Sequence, residues 1–395
     1  MYGNFVFHAP TRLVFGPNSV DQAGAEAAAL RVRRFLIFTG PGPTRSSPGL
    51  ARLRASLEAA GVVSETWSRV GHDPDAPAVE AAARAVVDSG CDGVLAFGGG
   101  SPIDCAKAAS LFASNVLAAG APLPGKGWLD FVYGRARFDR PGLPLVAVPT
   151  TAGSGSEMSS NAVTIDPGEA RKLGLSSAWF FPAVALVDPL VQATMPAALA
   201  AATGMDALTH AVESFVSRRS TPLTRAVAGQ AAGLILGNLE RVVAAPDDTE
   251  ARAAMALASS EVAIAFSQTG LGMVHGFAHP VGARGGVAHG VANAVILPHV
   301  AEACARTNPG PFAELALAAG LSVAGLAPAA AAAVLIEAIA RTRTAVGIPA
   351  RLSDLGLSPA VLPAVLADAL SYRNRAASPR VFTDEELTRL LDSMY

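Results

Sequence analysis

The sequence predicts an α/β domain built on a parallel sheet, followed by an all-helical domain. The chain has 395 residues, and a typical domain has roughly 150, so one domain is too few. Short β-rich runs alternate with Ala-rich segments of helical length in the first half of the chain. Beyond about residue 190 the β-branched runs stop, and long stretches with apolar residues at helical spacing follow. We therefore expect an α/β domain over 1–190 and a helical domain over 191–395.

The parallel sheet is predicted by strand-like runs that are separated by helical segments. Such a spacing is typical of βαβ units, whose strands are buried on both faces and therefore rich in apolar residues. The opening residues alternate in the manner of a further strand that ends at Gly16. The runs are Phe35–Thr39, Val62–Trp67, Gly93–Phe97, Pro144–Pro149 and Val184–Asp188.

The helical half contains three long segments with apolar residues at helical spacing, Thr221–Ala245, Thr249–Thr269 and Ala327–Val346. A last helix is predicted to begin after Thr383, because Thr383 stands three residues before Glu386. This spacing forms a capping box, in which each side chain accepts a hydrogen bond from the backbone of the other residue.

Composition excludes several functional classes. The chain is 51% hydrophobic and 16% charged, too apolar for a disordered protein. Its 30 Lys and Arg against 32 Asp and Glu give a net charge of −2, which argues against nucleic acid or anionic lipid as a partner. The longest apolar stretch, Ala327 to Ala340, is too short to cross a membrane and is interrupted by Glu337. Three cysteines at no metal-like spacing suit a reducing compartment, so we expect a cytoplasmic protein.

A glycine-rich loop, FGGGSPIDCAKA, follows the third predicted strand and opens a helix. Gly98, Gly99 and Gly100 let the backbone approach a ligand closely, and the helix amides that follow Ser101 favour an anion such as a pyrophosphate. The loop departs from the GxGxxG fingerprint, because Ile103 stands in place of the last glycine. The alternative is a tight turn with no ligand.

A second loop, PTTAGSGSEMSSN over Pro149–Asn161, is rich in Ser and Thr and stands directly behind a strand. Its hydroxyls can donate to the ribose and phosphate oxygens of a nucleotide. Hydroxyl-rich turns are also common as plain loops, so both interpretations stay open.

Histidines are concentrated in the helical half. Asp206 and His210 are four residues apart, as are His275 and His279, so each pair projects from one face of a helix. His289 follows a glycine-broken stretch, GARGG, that can turn the chain back. One carboxylate with several imidazoles favours Fe²⁺ or Zn²⁺ over Ca²⁺ or Mg²⁺. The alternative is that each histidine is satisfied separately in the core or at the surface. We expect His8, His72 and His299 to be structural in this way.

These motifs together resemble the iron-containing (group III) alcohol dehydrogenase family. The resemblance runs from GGGSPIDCAKA and PTTAGSGSE through GMDALTHAVE to GLGMVHGFAHPVGARGGVAHGVANAVILPHV. It implies a fold similar to that of dehydroquinate synthase, with an N-terminal dinucleotide-binding domain and a C-terminal metal domain. It also implies metal ligands at Asp206, His210, His275 and His289. His279 then stands beside the metal and could relay a proton.

The resemblance also implies a coenzyme site. Many NAD-preferring members of the family carry an acidic residue after the second strand, where this chain has Gly40. A carboxylate there repels the 2′-phosphate of NADP, so we expect NADP(H) to be favoured, with NAD(H) possible. The other positions carried over by motif are Gly98, Gly99, Gly100, Ser101, Asp104, Thr150, Thr151, Ser154, Ser156 and Lys172.

The expected activity is the interconversion of a small alcohol with its aldehyde or ketone. A bound metal polarises the substrate oxygen, and hydride passes directly to or from the nicotinamide. Two alternatives stay open. Arg284 could hold an acidic substrate such as maleylacetate or a hydroxy acid. A sugar-phosphate cyclase on the same scaffold would need more cations than Lys107, Lys126 and Lys172 provide. We expect a homodimer.

Overall fold

The computed structural model describes residues 4–117 and 127–395, which form two compact units. The α/β unit comprises the described residues of Ala9–Thr151 together with Gly155–Thr194. The helical unit comprises Met195–Tyr395, the described residues up to His8, and the short segment Ala152–Ser154. The single boundary expected at residue 190 assigns both short segments to the α/β half instead.

The α/β unit is built on a six-stranded sheet in which every pairing is parallel, so the predicted parallel sheet is confirmed. The strand order is β1-β8-β5-β4-β2-β3, and a separate antiparallel pair is formed by β6 and β7. The strands are β1 Arg12–Phe15, β2 Arg34–Phe38, β3 Val63–Trp67, β4 Gly93–Gly98, β5 Leu145–Pro149, β6 Asn161–Asp166, β7 Arg171–Ser176 and β8 Val184–Val187.

Helices cover both faces of this sheet, which explains the apolar strands. Phe35 and Ile37 of β2 pack into one core cluster, whereas Leu36 and Phe38 pack into another on the opposite face. Alternate residues of a strand point to opposite faces, so both sets of side chains must be apolar. The helices of this unit are α1 Ala23–Ala29, α2 Pro48–Ala59, α3 Ala76–Asp88, α4 Gly100–Phe112 and α5 Trp128–Val132.

The antiparallel pair β6–β7 was not predicted from the sequence. Its register joins Asn161 to Ser176 and Asp166 to Arg171, with a four-residue turn between the strands. The side chain of Asp166 accepts hydrogen bonds from the backbone of Gly168 and Glu169, which closes the turn. β7 is only partly buried and carries charged residues, so it lacks the apolar pattern that marks the other strands.

The helical unit confirms the segments predicted from periodicity. Thr221 is the N-cap of α7, and Thr383 and Glu386 form the predicted capping box at the start of α14. Among the described residues, no helix is long and apolar enough to cross a membrane. The helices are α6 Ala197–Val216, α7 Pro222–Ala244, α8 Thr249–Thr269, α9 Met273–Gly285, α10 His289–Ala305, α11 Gly310–Ala318, α12 Pro328–Ala345, α13 Leu362–Leu370 and α14 Asp384–Met394.

The helices α6 and α10 approach each other closely at Gly290. A Cβ atom at this position would overlap the carbonyl group of Ala202 in α6. The backbone of α6 leaves no room for it, because a carbonyl inside a helix cannot rotate away without losing its own hydrogen bond. Glycine at position 290 therefore sets the spacing of two helices that carry the candidate site.

We expect Gly290→Ala to lower the free energy of unfolding by about 1–3 kcal/mol or more, the usual cost of overpacking. Gly237→Ala is the matched control, because Gly237 is exposed in α7 with nothing near the position of a Cβ. That variant should gain about 0.5–1 kcal/mol from helix propensity. Urea denaturation measures both, and equal stability of the two variants would contradict the close approach.

Candidate metal centre and coenzyme site

Asp206 lies at the centre of a cluster of imidazoles in the helical unit. Its Oδ1 atom is 3.7 Å from Nε2 of His210, 3.7 Å from Nε2 of His275 and 3.7 Å from Nε2 of His289. Ligand atoms of Asp206, His210 and His275 all lie within 4.8 Å of one another, and these three residues are buried. The structure thus brings together the four residues that the resemblance implies as metal ligands.

Three helices supply the cluster through the spacings that the sequence predicted. Asp206 and His210 are one turn apart on α6, and His275 lies in the first turn of α9. His289 is the first residue of α10, which α9 reaches through a turn at Gly286. Gly286 adopts the left-handed conformation with φ of 69°, which glycine tolerates best. The glycine-broken stretch therefore returns the chain to the cluster.

Hydrogen bonds at the far side of two rings set which nitrogen faces Asp206. Nδ1 of His210 donates to the carbonyl oxygen of Gly153 at 3.2 Å. Nδ1 of His275 donates to Oε2 of Glu213 at 2.7 Å. Because each Nδ1 proton is held in a hydrogen bond, Nε2 of each ring is the nitrogen that faces Asp206 and is left to coordinate a metal.

The electrostatics of the cluster keep the carboxylate charged. Burial opposes ionisation of Asp206, but the adjacent imidazoles of His210, His289 and His275 hold its pKa well below the usual range. Burial also opposes the charged form of His275, yet Glu213 and Asp206 raise its pKa to about 9. For His210 burial prevails and lowers the pKa. A buried negative charge among imidazoles is an arrangement that a divalent cation would stabilise.

The donor set and its spacing fit a divalent metal. Four ligand atoms placed tetrahedrally at about 2.0–2.2 Å from an ion lie roughly 3.3–3.6 Å apart. The three separations of 3.7 Å from Asp206 Oδ1 are close to this value. One carboxylate and three imidazoles are the ligands that Fe²⁺ and Zn²⁺ accept, and they do not suit Ca²⁺ or Mg²⁺.

Sequence reasoning missed two residues of this cluster. Asn293 is fully buried, and its Nδ2 atom lies 2.6 Å from Asp206 Oδ1 and 3.2 Å from Nε2 of both His275 and His289. Glu213 bonds to His275, as described above. A spacing signal was available for each, because Asn293 is four residues after His289 and Glu213 is three after His210.

His279 lies beside the cluster without entering it. Its ring stacks on that of His289 with centroids 5.3 Å apart, and it meets the ring of Tyr372 edge-on at 6.0 Å. His279 is partly exposed, unlike the buried His275 one turn earlier. Of the histidines expected to be structural, His299 directs Nε2 towards the carbonyl of Ala350, away from the cluster.

In the α/β unit, the glycine loop lies between the end of β4 and the start of α4. A Cβ at Gly98 would meet the ring of Pro102 at 2.6 Å, so this position requires glycine. A Cβ at Gly99 would lie 3.2 Å from the hydroxyl of Thr151, the residue that follows Thr150 of the second loop. Gly99 and Thr151 therefore face each other across the carboxyl ends of two adjacent strands.

Buried charges of α4 organise the second loop. The ammonium of Lys107 donates to the carbonyls of Ser159 and Asn161, both at 2.9 Å, and burial lowers its pKa to about 8. Asp104 accepts from the backbone of Val163 at 3.0 Å and bonds to Ser156. The predicted coenzyme residues Asp104 and Ser156 are thus in contact, and this bond joins α4 to the second loop.

Lys172 and Ser101 are linked through Asp73, a residue that sequence reasoning missed. The ammonium of Lys172 lies 2.8 Å from the carboxylate of Asp73, whose backbone N–H donates to the hydroxyl of Ser101 at 3.2 Å. Asp73 adopts φ of 52°, a left-handed conformation that is unusual for a residue other than glycine. Such outliers concentrate at functional sites.

Two other predicted coenzyme positions, Ser154 and Gly40, lie outside these contacts of α4 and Asp73. Ser154 belongs to the segment Ala152–Ser154 of the helical unit. Gly40 follows β2, the strand that pairs with β4, and Phe38 is in register with Ala96 two residues before Gly98. A Cβ at Gly40 would meet only the carbonyl of Val70, at 3.8 Å, so this position has room for a side chain.

Comparison with known families gives matches over nearly the whole chain. Residues 10–189 match the family described as iron-containing alcohol dehydrogenase. Residues 200–395 match the C-terminal region of the Fe-containing alcohol dehydrogenase family.

Individual proteins agree with these matches. The chain is 35% identical over 390 residues to a 1,3-propanediol dehydrogenase of Citrobacter freundii, covering 98% of both chains. It is 36% identical over 344 residues to an NAD-dependent methanol dehydrogenase of Bacillus methanolicus, covering 87% of both. A crystal structure of a 1,3-propanediol oxidoreductase superimposes with a TM-score of 0.91 over the full length of both chains, at 34% identity.

We expect His210→Ala to lose bound divalent metal, because a vacant ligand position weakens coordination far more than it weakens packing. Metal content after dialysis, measured by elemental analysis, tests this directly. His299→Ala is the control, since that histidine lies outside the cluster and its variant should keep the metal of the wild type. A full complement of metal in His210→Ala would remove His210 from the ligand set.

Proposed function

The chain belongs to the iron-containing alcohol dehydrogenase family and interconverts alcohols and aldehydes, and we propose that Asp206, His210, His275 and His289 hold its metal. The observation that carries this proposal is the set of three equal separations of 3.7 Å around Asp206 Oδ1. Iron is the metal in the family's description, and zinc accepts the same ligands.

When bound, the metal would act as a Lewis acid that polarises a carbonyl for reduction or lowers the pKa of an alcohol for oxidation. The residues of this chain then have three tasks. The Nδ1 acceptors of His210 and His275 keep the ligand tautomers in place. Asn293 holds the Asp206 carboxylate. His279, stacked on His289 and partly exposed, is placed to pass a proton between the site and solvent.

The proposed substrate is a small uncharged alcohol or its aldehyde or ketone. Arg284, the residue considered for an acidic substrate, bonds to Asp368 at 2.7 Å, so its charge is already compensated. Neither lysine in the described part of the chain is available for a sugar phosphate, because Lys107 is buried under the second loop and Lys172 is paired with Asp73. Lys126 lies outside the described residues. Curated relatives of this length act on 1,3-propanediol, according to their names.

A substrate panel tests this assignment. Small aldehydes, ketones and oxo-acids are offered with NADH and with NADPH, and the loss of nicotinamide absorbance is followed. Reduction of short aldehydes that requires added Fe²⁺ or Zn²⁺ is the expected result. Turnover confined to oxo-acids would show that the substrate class is wrong.

For the coenzyme, we propose that the loop Gly98–Ser101 holds the diphosphate at the N-terminus of α4. The first amides of a helix have no partner within it and attract an anion. Thr150 and Thr151 follow the adjacent strand β5 and offer hydroxyls. Asp73, which is paired with Lys172, donates its backbone N–H to the hydroxyl of Ser101. Ser154 and Ser156 belong to the second loop, and Asp104 of α4 bonds to Ser156.

We expect Gly99→Val to weaken coenzyme binding by tenfold or more while the protein still folds. The added side chain occupies the space that a diphosphate would need, and the atoms nearest to its Cβ, at 3.2 Å or more, belong to the side chain of Thr151 and not to the backbone. Titration by nicotinamide fluorescence measures the affinity, and the melting temperature is the control. A variant that binds coenzyme like the wild type would show that the loop is a plain turn.

The preference for NADP(H) is also a proposal. Position 40 carries no carboxylate to repel a 2′-phosphate, and the exposed turn Pro43–Ser46 that follows adds the guanidinium of Arg45 and the hydroxyls of Thr44 and Ser46. An NAD-dependent relative is among the similar proteins, so the two coenzymes must be compared directly.

We expect Gly40→Asp to shift the ratio of kcat/KM values towards NADH by tenfold or more, which corresponds to about 1.4 kcal/mol. The aspartate fits without strain, because a Cβ at Gly40 meets nothing closer than 3.8 Å. Gly40→Asn is the matched control of the same size without the charge. A wild-type preference for NADH of tenfold or more would contradict the proposal.

The remaining proposals concern the state of the protein. We place it in the cytoplasm, consistent with Cys91, Cys105 and Cys304 being free thiols. We propose a homodimer, because β1 is at an edge of the described sheet and pairs there only with β8. An open strand edge can pair with a second copy of the chain.

A further inference from the structure

We propose that Glu213 is a positioning residue of the metal centre, because its carboxylate fixes the ring of His275. This inference rests on the metal site proposed above. Oε2 of Glu213 accepts a hydrogen bond of 2.7 Å from Nδ1 of His275, and the two side chains are 6% and 1% exposed. A ligand histidine whose Nδ1 proton is held in this way presents Nε2 in one orientation only.

The same carboxylate also holds the backbone next to His275. Oε1 of Glu213 accepts from the N–H of Val274 at 2.7 Å. Val274 is the second residue of α9, where backbone N–H groups have no partner within the helix. Glu213 therefore determines both the rotation of the His275 ring and the position of the turn that carries it. Its negative charge is also stabilised at a helix N-terminus.

The surrounding sequence leaves space for this contact. A Cβ at Gly272 would lie 2.9 Å from Oε1 of Glu213 and 3.0 Å from the hydroxyl of Ser378. Ser378 caps the neighbouring amide of α9, accepting from the N–H of Met273 at 3.1 Å. The start of α9 is thus held by two side chains, of which only Glu213 also reaches the imidazole.

This difference provides a matched pair of variants. Glu213→Gln keeps the size of the side chain but has one acceptor oxygen for two donors, so either His275 or Val274 must face an amide NH₂ group. Ser378→Ala removes the other cap of α9 and leaves the contact between Glu213 and His275 intact. A purely structural role for Glu213 predicts the same behaviour for both variants.

The experiment measures Zn²⁺ affinity by competition with a chromophoric chelator, and the visible absorption of the Co²⁺-loaded protein. We expect Glu213→Gln to bind Zn²⁺ about 10–100-fold more weakly than the wild type and to alter the Co²⁺ bands. Ser378→Ala should keep both properties while its metal-free form melts at a lower temperature. Unchanged affinity in Glu213→Gln, or an equal loss in both variants, would overturn the inference.

Further measurements separate this inference from the metal site itself. If His210→Ala binds Zn²⁺ as tightly as the wild type, the proposed site fails and the inference fails with it. If Glu213→Gln does not fold, histidine-labelled wild type can be observed by NMR with Zn²⁺ bound. His275 must then keep a proton on Nδ1 in a strong hydrogen bond and coordinate through Nε2. Coordination through Nδ1 would overturn the inference.

Discussion

The buried carboxylate of Asp206 is the constraint on which the helical unit depends. A negative charge removed from water needs compensation by several kcal/mol, and Asp206 is buried. Three imidazoles and the amide of Asn293 surround it. These partners come from α6, α9 and α10, so the packing of those helices and the chemistry of the cluster cannot vary independently.

This dependence explains features that would otherwise look unrelated. Gly290 brings α10 against α6 immediately after His289 enters the cluster. Gly286 turns the chain between α9 and α10 in a conformation that other residues adopt with strain. The carbonyl of Gly153 accepts a hydrogen bond from His210, and the N–H of Gly153 donates to the hydroxyl of Ser259 at 2.8 Å. Each contact limits how far a ligand atom can move.

The α/β unit concentrates its candidate residues by a different principle. All strands of the sheet are parallel, so the loops that leave their carboxyl ends meet at one edge. Gly40 and the glycine loop follow the adjacent strands β2 and β4, and Thr150 follows β5. Buried Lys107 then holds the second loop through backbone carbonyls.

Features that depend on local periodicity and spacing could be predicted from the sequence. Apolar runs bounded by loops predicted the parallel strands, and helical spacing predicted α7, α8 and α12. Four-residue spacings placed Asp206 with His210 on one helix face, because residues one turn apart are neighbours whatever the fold. The hairpin β6–β7 was not predicted because β7 is only partly buried, begins with two charged residues and has a glycine between its two leucines.

Which groups from distant parts of the chain meet depends on how the helices and strands pack. Glu213 and His275 are 62 residues apart, and Asp73 and Lys172 are 99 apart, so no local pattern marks either pair. The equal separations around Asp206 arise from three helices packed at fixed distances. The sequence gives the chemical type of each side chain. The direction in which each side chain points depends on packing, which is a property of the whole unit.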